Sequence, residues 1–542
     1  MCERYNRLIF RGGCRGKKSV RSRCGTTASS RKRSDRGSSR TYPTTERTMD
    51  HDVTAPGSGE QAAIIEAAEE VVLEPLADFP HIDLRTGVEP WDKRRAAGKT
   101  LRRDLPHADH AILGADADRP DPVSLIEGAH AGRQEHLIPL RVARMASSPF
   151  AFLRGAAQVM AWDLAQGPRG AIDVVMNGDA HISNFGLFGS PQGDVVLDLN
   201  DFDEVTVGPW EWDLKRLCAS IEVAARDAAV PVTERRQAVQ SAAAGYQHAM
   251  DDLAPRGSLD VWQQAARADD LDFIGIEIDA QSQAVVLRAV EKARRKNNQS
   301  LLDRVGERRT DGGWRFREEP PILTRVDEAT RQSVTAGLER YAETLPRERR
   351  FMLSRYHVVD VAHRVVGVGS VGTRAYVALL CGNSDQDALF LQVKEAVRPA
   401  SAPYLRGMPE PYASHEGERV IYGQRLLQAV GDPLLGWTSI DGRPFYVRQM
   451  KNMKGEIPLS RMAGRSLMYF SHAYGALLAK AHARTGDAAA IAGYFGHDGR
   501  ADLREALADW AQAYGDRNAA DYEMFRAAIA EGRLTAADDP HL

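Results

Sequence analysis

Two short apolar runs, residues 171–176 and 194–199, flank the polar stretch Asn177-Gly-Asp-Ala-His-Ile-Ser-Asn184. Their length and β-branched content predict a strand on each side of a polar loop. From Trp212 to about Ala254 the period becomes helical, with Leu214, Leu217, Cys218, Ile221 and Ala224 on one face. Upstream, residues 123–165 show helical periodicity broken at Pro149, 61–76 predict a short helix with an acidic face, and 77–122 are rich in Pro, Asp and Arg and predict a surface wrap. Residues 255–320 mix helices with charged loops, and Lys292-Ala-Arg-Arg-Lys296 reads as a solvated helix face. Near Tyr356 the pattern changes again. To about Gln449 the chain is rich in Val, Tyr and Gly, with turn signals at Cys381-Gly-Asn-Ser-Asp385 and Ile440-Asp-Gly-Arg443, which predicts a small antiparallel sheet. A helix over 416–430 interrupts it, and helices over 466–484 and 501–534 close the chain. The expectation is an α+β fold of two lobes. Residues 123–350 form a helical lobe, 351–452 a β-rich lobe, and 453–542 helices that complete the first lobe. Residues 61–122 wrap outside, and 1–60 form a disordered basic tail.

Composition refines this picture in three places. The first 48 residues hold fourteen Lys or Arg against three acidic residues, Glu3, Asp35 and Glu46, so the rest of a chain with net charge −3 is acidic. That head is poor in large apolar residues and is expected to be disordered. Its charge suits nucleic acid or anionic lipid, but an untemplated tail with Met49 as the natural start is the preferred reading. It has no apolar core of a secretory signal. No apolar run approaches eighteen residues, so no membrane span is expected. Of five cysteines, Cys2, Cys14 and Cys24 lie in the head and none forms a Cys-x-x-Cys pair, which predicts a reducing, cytoplasmic setting and argues against thiolate zinc.

The polar loop carries the chemistry. Asp179 and Asn184 stand five residues apart, Gly178 allows a tight turn before them, and Asp201 ends the second apolar run. Phosphoryl transfer from ATP needs a carboxylate to orient a hydroxyl, and an amide with a carboxylate to hold Mg²⁺ against the phosphates. Asp179, Asn184 and Asp201 are the candidates for these roles, with Asp198 and Asp203 as further carboxylates. Asp and Asn are also ordinary turn residues, and His181 by itself reads as a loop hydrogen-bond donor.

The set Gly178-Asp179, His181, Asn184, Asp201-Phe202 and Trp212-Asp-Leu-Lys-Arg-Leu217 resembles the kinase-like superfamily of aminoglycoside and choline phosphotransferases. The resemblance implies Asp179 as catalytic base, Asn184 and Asp201 as Mg²⁺ ligands, and Asp213 as a brace accepting backbone hydrogen bonds from the loop. Asn177 stands where that superfamily usually has His. More narrowly, Ser148-Pro-Phe-Ala-Phe-Leu-Arg-Gly-Ala-Ala157, Asp198-Leu-Asn-Asp-Phe-Asp-Glu204 and Gly208-Pro-Trp-Glu-Trp-Asp-Leu-Lys-Arg216 resemble the bacterial domain-of-unknown-function family 2252, from about residue 90 to 535.

A kinase also needs a glycine-rich phosphate cover and a lysine. Residues 90–170 offer neither. Gly367-Val-Gly-Ser-Val-Gly372 is followed by β-prone Tyr376-Val-Ala-Leu-Leu380, so a strand–loop–strand hairpin fits better than a dinucleotide fold, whose third glycine opens a helix. An ordinary glycine-rich hairpin is the competing structural reading. Lys394 ends the alternating strand Ala388-Leu-Phe-Leu-Gln-Val-Lys394 and is read as the phosphate lysine, with Glu416 or Glu418 as its acidic partner. The strand Pro444–Met450 then precedes a hinge, and helix 466–484 packs under the loop. The elements of a kinase would thus occur in rotated order, as in a circular permutation. Arg154 either pairs with phosphate or, as the preferred reading, salt-bridges the acidic loop.

The expected function is ATP- and Mg²⁺-dependent phosphotransfer to a small hydroxylated molecule. Transfer of AMP by the same groups, a non-catalytic nucleotide-binding scaffold and a metal-dependent phosphoesterase are the alternatives. The last lacks a Gly-Asn-His motif. Acceptor and oligomeric state are not legible.

Overall fold

The computed structural model describes residues 87–539, except 115–116, 269–276, 311, 366, 410–413, 451–452, 459–463 and 497–501. The basic tail, Met49, the helix expected over 61–76 and the start of the wrap lie outside the described residues.

The fold is α+β. Two two-stranded antiparallel ladders sit inside a helical body. Strand β1 (Asp173–Met176) pairs with β4 (Thr206–Pro209), and β2 (Phe185–Gly189) with β3 (Val195–Leu199). The two apolar runs of the sequence are therefore strands, but they pair with β4 and β2 and not with each other. Each run needs its own partner because the loop between them is long enough to contain β2. The helical stretch after Trp212 is two helices, Trp210–Asp227 and Val232–Leu253, broken before Pro231, whose ring cannot continue a helix. Pro149 opens a helix, Pro149–Gly155, with Ser148 capping it by accepting from the Ala151 N–H at 3.1 Å.

The wrap also differs from expectation, since Trp91–Thr100 is a helix. It packs against the helix Ala488–Phe495, held by Arg94 on Asp487 at 2.5 Å. Its own pattern is polar, and tertiary contact supplies what periodicity did not. The run at 292–296 sits at the end of the helix Ala280–Arg294, with Lys292, Arg294 and Arg295 exposed and Ala293 buried.

Past a small hairpin of β5 (Gly306–Arg308) and β6 (Trp314–Phe316), a second sheet collects β7 (Leu323–Arg325), β8 (His357–Arg364), β9 (Ala375–Cys381), β10 (Ala388–Glu395), β11 (Gly436–Ile440) and β12 (Arg443–Gln449). Its order is β11-β12-β10-β9-β8-β7, antiparallel throughout. Alternation divides its faces. Leu389, Leu391 and Val393 meet Val334, Leu338 and Tyr341 of the helix Glu328–Glu343, while Ala388 and Phe390 meet Leu301 and Leu302 of the helix Asn298–Val305. The β-rich region thus takes an edge strand and both covering helices from residues before 351, ahead of the expected boundary. A sheet with two apolar faces needs cover on both.

The helices expected over 416–430, 466–484 and 501–534 are Glu416–Leu427, Arg465–Ala483 and Asp502–Ala530. Helix Arg465–Ala483 lies along Val232–Leu253, and its Phe470, Tyr474 and Leu478 enter the largest core cluster. Among the described residues no helix is long and apolar enough to cross a membrane.

Candidate active site

After β1 the chain turns at Gly178, where φ is 78° and an added Cβ would lie 2.0 Å from the Glu204 carbonyl oxygen. Only glycine fits that turn. Buried Asp213 fixes it by accepting the N–H of Asn177 at 2.6 Å and of Gly178 at 2.9 Å. His482, from the C-terminal part of the chain, lies 3.1 Å from the Asp213 carboxylate, and the Tyr246 hydroxyl is 2.9 Å from the other ring nitrogen. Ser220 Oγ accepts the Ile182 N–H at 2.9 Å. One helix, Trp210–Asp227, therefore sets the backbone of the whole loop.

The loop side chains follow. The Asn184 amide nitrogen donates to the Asp179 carbonyl at 2.7 Å, which commits the nitrogen and leaves the amide oxygen for the cleft. Asn177 donates to the Asp201 carbonyl at 2.5 Å and ties the two loops together. Arg216 donates through Nε (2.9 Å) and Nη2 (2.7 Å) to one oxygen of Asp179, Oδ1. Oδ2 is 3.6 Å from His181 Nε2 and otherwise faces the cleft. Burial pushes the Asp179 carboxyl up to about 6, against the pull of Arg216. Burial, with Arg154 and Arg216 nearby, holds His181 well below its ordinary value, so it is neutral.

Asp201 is half-buried on the wall of the cleft. Burial raises its pKa, yet the charges of Lys394 and Arg448 outweigh this and hold it below the usual carboxylate range. Its Oδ1 is buried without a hydrogen-bond partner, as is Oδ1 of Asp203. Lys394 comes from β10 and ion-pairs with Asp203 Oδ2. Asp201 and Asp203 overcome the effect of burial and keep it charged.

The glycine segment Gly367–Gly372 joins antiparallel β8 and β9 and roofs the cleft. It is pinned from below: Gln134 N–H on the Gly372 carbonyl at 2.7 Å, Arg133 on that of Val371 at 2.6 Å, Arg144 on that of Gly367 at 2.9 Å. One cleft is lined by Asp179, His181, Asn184, Asp201, Asp203, Gly367 and Gly369 together.

Three expectations need correction. Neither Glu416 nor Glu418 pairs with Lys394. Glu416 accepts from Arg419 at 2.6 Å and Glu418 from Ser414 Oγ at 2.9 Å. Asp203 occupies the lysine, and the helix Glu416–Leu427 reaches the loop through Arg419, which donates to the carbonyls of Val205 (2.6 Å) and Asp203 (2.9 Å). Arg154 lines the cleft but forms no ion pair among the described residues. Asp198 does not line the cleft; Lys480 and Arg484 are the charges near it. Arg216, Arg419 and Asn177 were missed as site residues. For Arg216 a signal existed, since it stands one helical turn after Asp213 and so shares its face.

Among the described residues no three His, Cys, Asp or Glu side chains are grouped to hold a metal by themselves. Mg²⁺ needs fewer protein ligands when phosphates supply the rest. The unpartnered Asp201 Oδ1 and the oriented Asn184 amide fit such an ion.

The fold and site define an α+β protein whose polar cleft is assembled from two distant segments of chain. A family model described as an uncharacterised protein conserved in bacteria (DUF2252) matches residues 133–528, and the chain belongs to that family. No curated protein and no solved structure matches it.

Proposed function

We propose that the protein is an ATP- and Mg²⁺-dependent phosphotransferase of kinase-like fold, acting on a small hydroxylated molecule, with the lobes in rotated chain order. The observation that carries the reading is the meeting of Asp179, Asn184 and Asp201 with the glycine segment, and with Lys394 through Asp203, on one cleft. The succession β8, glycine loop, β9, lysine strand β10, helix, β11, β12 supports the reading, since a kinase nucleotide lobe also sets a glycine-rich loop ahead of its lysine strand and a helix after it. It follows the catalytic loop here.

Asp179 Oδ2 accepts the proton of the acceptor hydroxyl, while Arg216 fixes the carboxylate through Oδ1. A pKa near 6 leaves it mostly ionised at neutral pH yet basic enough to help. Asn184 and Asp201 would hold Mg²⁺, which when bound neutralises charge on the transferring phosphate. Lys394 and the glycine segment position the phosphates. Asp213 orients the loop without touching substrate.

The test uses ATP labelled at the γ or the α position with a small-molecule extract. Label from the γ position on an acceptor, lost in Asp179→Asn, is the expected result. Label from the α position instead identifies AMP transfer, and undiminished transfer by Asp179→Asn contradicts the base assignment.

A further inference from the structure

Several enclosed arginines of the described residues have acidic partners. Arg216 has Asp179, Arg119 has Asp163 and Asp521, and Arg419 has Glu416. Three arginines on the wall of the cleft do not. Arg141 is 1% exposed, and its Nη groups meet the Gly155 carbonyl at 2.6 Å and the His130 ring at 2.9 Å; its Nε is buried with no partner. Arg154 Nε is likewise buried and unpartnered. Arg133 spends Nε on the Ala129 carbonyl (2.9 Å) and Nη1 on that of Val371 (2.6 Å). Among the described residues none of the three forms an ion pair. Of the acids lining the cleft, Asp179 has Arg216, Asp203 has Lys394, Glu395 has Arg374 and Arg443, and Glu204 accepts the Ala400 N–H, while Asp201 Oδ1 has no hydrogen-bond partner. Carboxylates lie near Arg133 and Arg154 without pairing with them, and among the described residues none acts on Arg141; a guanidinium fork matches an oxyanion.

We infer that Arg133, Arg141 and Arg154 form an anion-binding end of the cleft, built to take a phosphate group. The group is either the terminal phosphate of the nucleotide or a phosphate carried by the acceptor; that choice, and nothing else here, rests on the phosphotransferase reading.

The experiment is calorimetric titration of the full chain with inorganic phosphate. Binding that weakens about tenfold or more in Arg154→Gln and is partly restored in Arg154→Lys supports the site. Equal binding by wild type and variant, or none by wild type, overturns it. Arg133→Gln, with thermal melting of every variant, separates loss of the site from loss of the fold. Phosphate that competes with the β,γ-imido analogue of Mg-ATP belongs to the nucleotide position, and phosphate that binds beside it belongs to the acceptor. Arginine-dependent phosphate binding without any Mg-ATP binding would retain this site and remove the phosphotransferase reading. Mg-ATP turnover with no phosphate site would do the reverse.

Discussion

Asp179 offers a single proton-accepting oxygen because Arg216 has taken the other. Two predictions belong to this pair. The base must be ionised to act, and burial sets its pKa at about 6. Activity should therefore rise with pH through about 6 and level above it; a flat kcat/KM from pH 5 to 8 would contradict the assignment. Arg216 favours the ionised form, so Arg216→Gln should move that acidic limb to higher pH. Measured pH profiles of the two proteins decide this, and an unshifted limb counts against the pairing. Spacing made Asp179, Asn184 and Asp201 legible in the sequence, because their backbone turn is local. Arg216 and Arg419 were not, because an arginine in an amphipathic helix reads as surface, and burial with its partners depends on distant chain. The same limit misdirected Lys394 toward Glu416 or Glu418: the expectation rested on sequence order, and the partner was set by packing.

At the scale of elements, the helix Trp210–Asp227 holds the loop through Asp213. Asparagine there keeps one acceptor for two N–H groups and puts an NH₂ beside one of them, so Asp213→Asn should cost about 2–4 kcal/mol in urea unfolding. A cost near zero would show that the loop is fixed otherwise. The helices Val232–Leu253 and Arg465–Ala483 approach closely at two glycines. An added Cβ at Gly475 would lie 1.9 Å from the Ala242 carbonyl oxygen, and one at Gly245 would lie 2.0 Å from that of His472. Gly475→Ala should destabilise by about 1–3 kcal/mol or more. Exposed Gly128 has nothing within 4 Å, and Gly128→Ala should be neutral or gain up to about 1 kcal/mol. Equal melting temperatures for the two variants would contradict the packing. Most helices and sheet strands were readable from period and turn residues. Phe185-Gly-Leu-Phe-Gly189 gives no strand signal, since two glycines and no alternation hide it, and with β2 hidden the partners of the flanking runs were not legible.

Over the whole molecule, the site residues lie between Arg133 and Arg419, but the body that supports them ends far later. Phe470, Tyr474 and Leu478 fill the core around the loop, and His482 backs Asp213. A chain cut after residue 452 keeps every proposed site residue and should still fail to fold, as soluble yield and circular dichroism would show. A folded, cooperative fragment would mean that the C-terminal helices are an accessory. The sequence showed both groups of helices and the sheet between them. It did not show that the sheet draws its cover from residues before 351, because no local pattern says which face a helix will seek.

The claim on which the function depends is that Asp201 and Lys394 act on one Mg-nucleotide from the two sides of the cleft. Calorimetric titration of ATP into wild type, Asp201→Ala and Lys394→Met, with and without Mg²⁺, tests it most directly. The account predicts binding by wild type that requires Mg²⁺ and weakens at least about tenfold in each variant. ATP binding that ignores both the ion and the substitutions, or no binding by wild type at all, would contradict it.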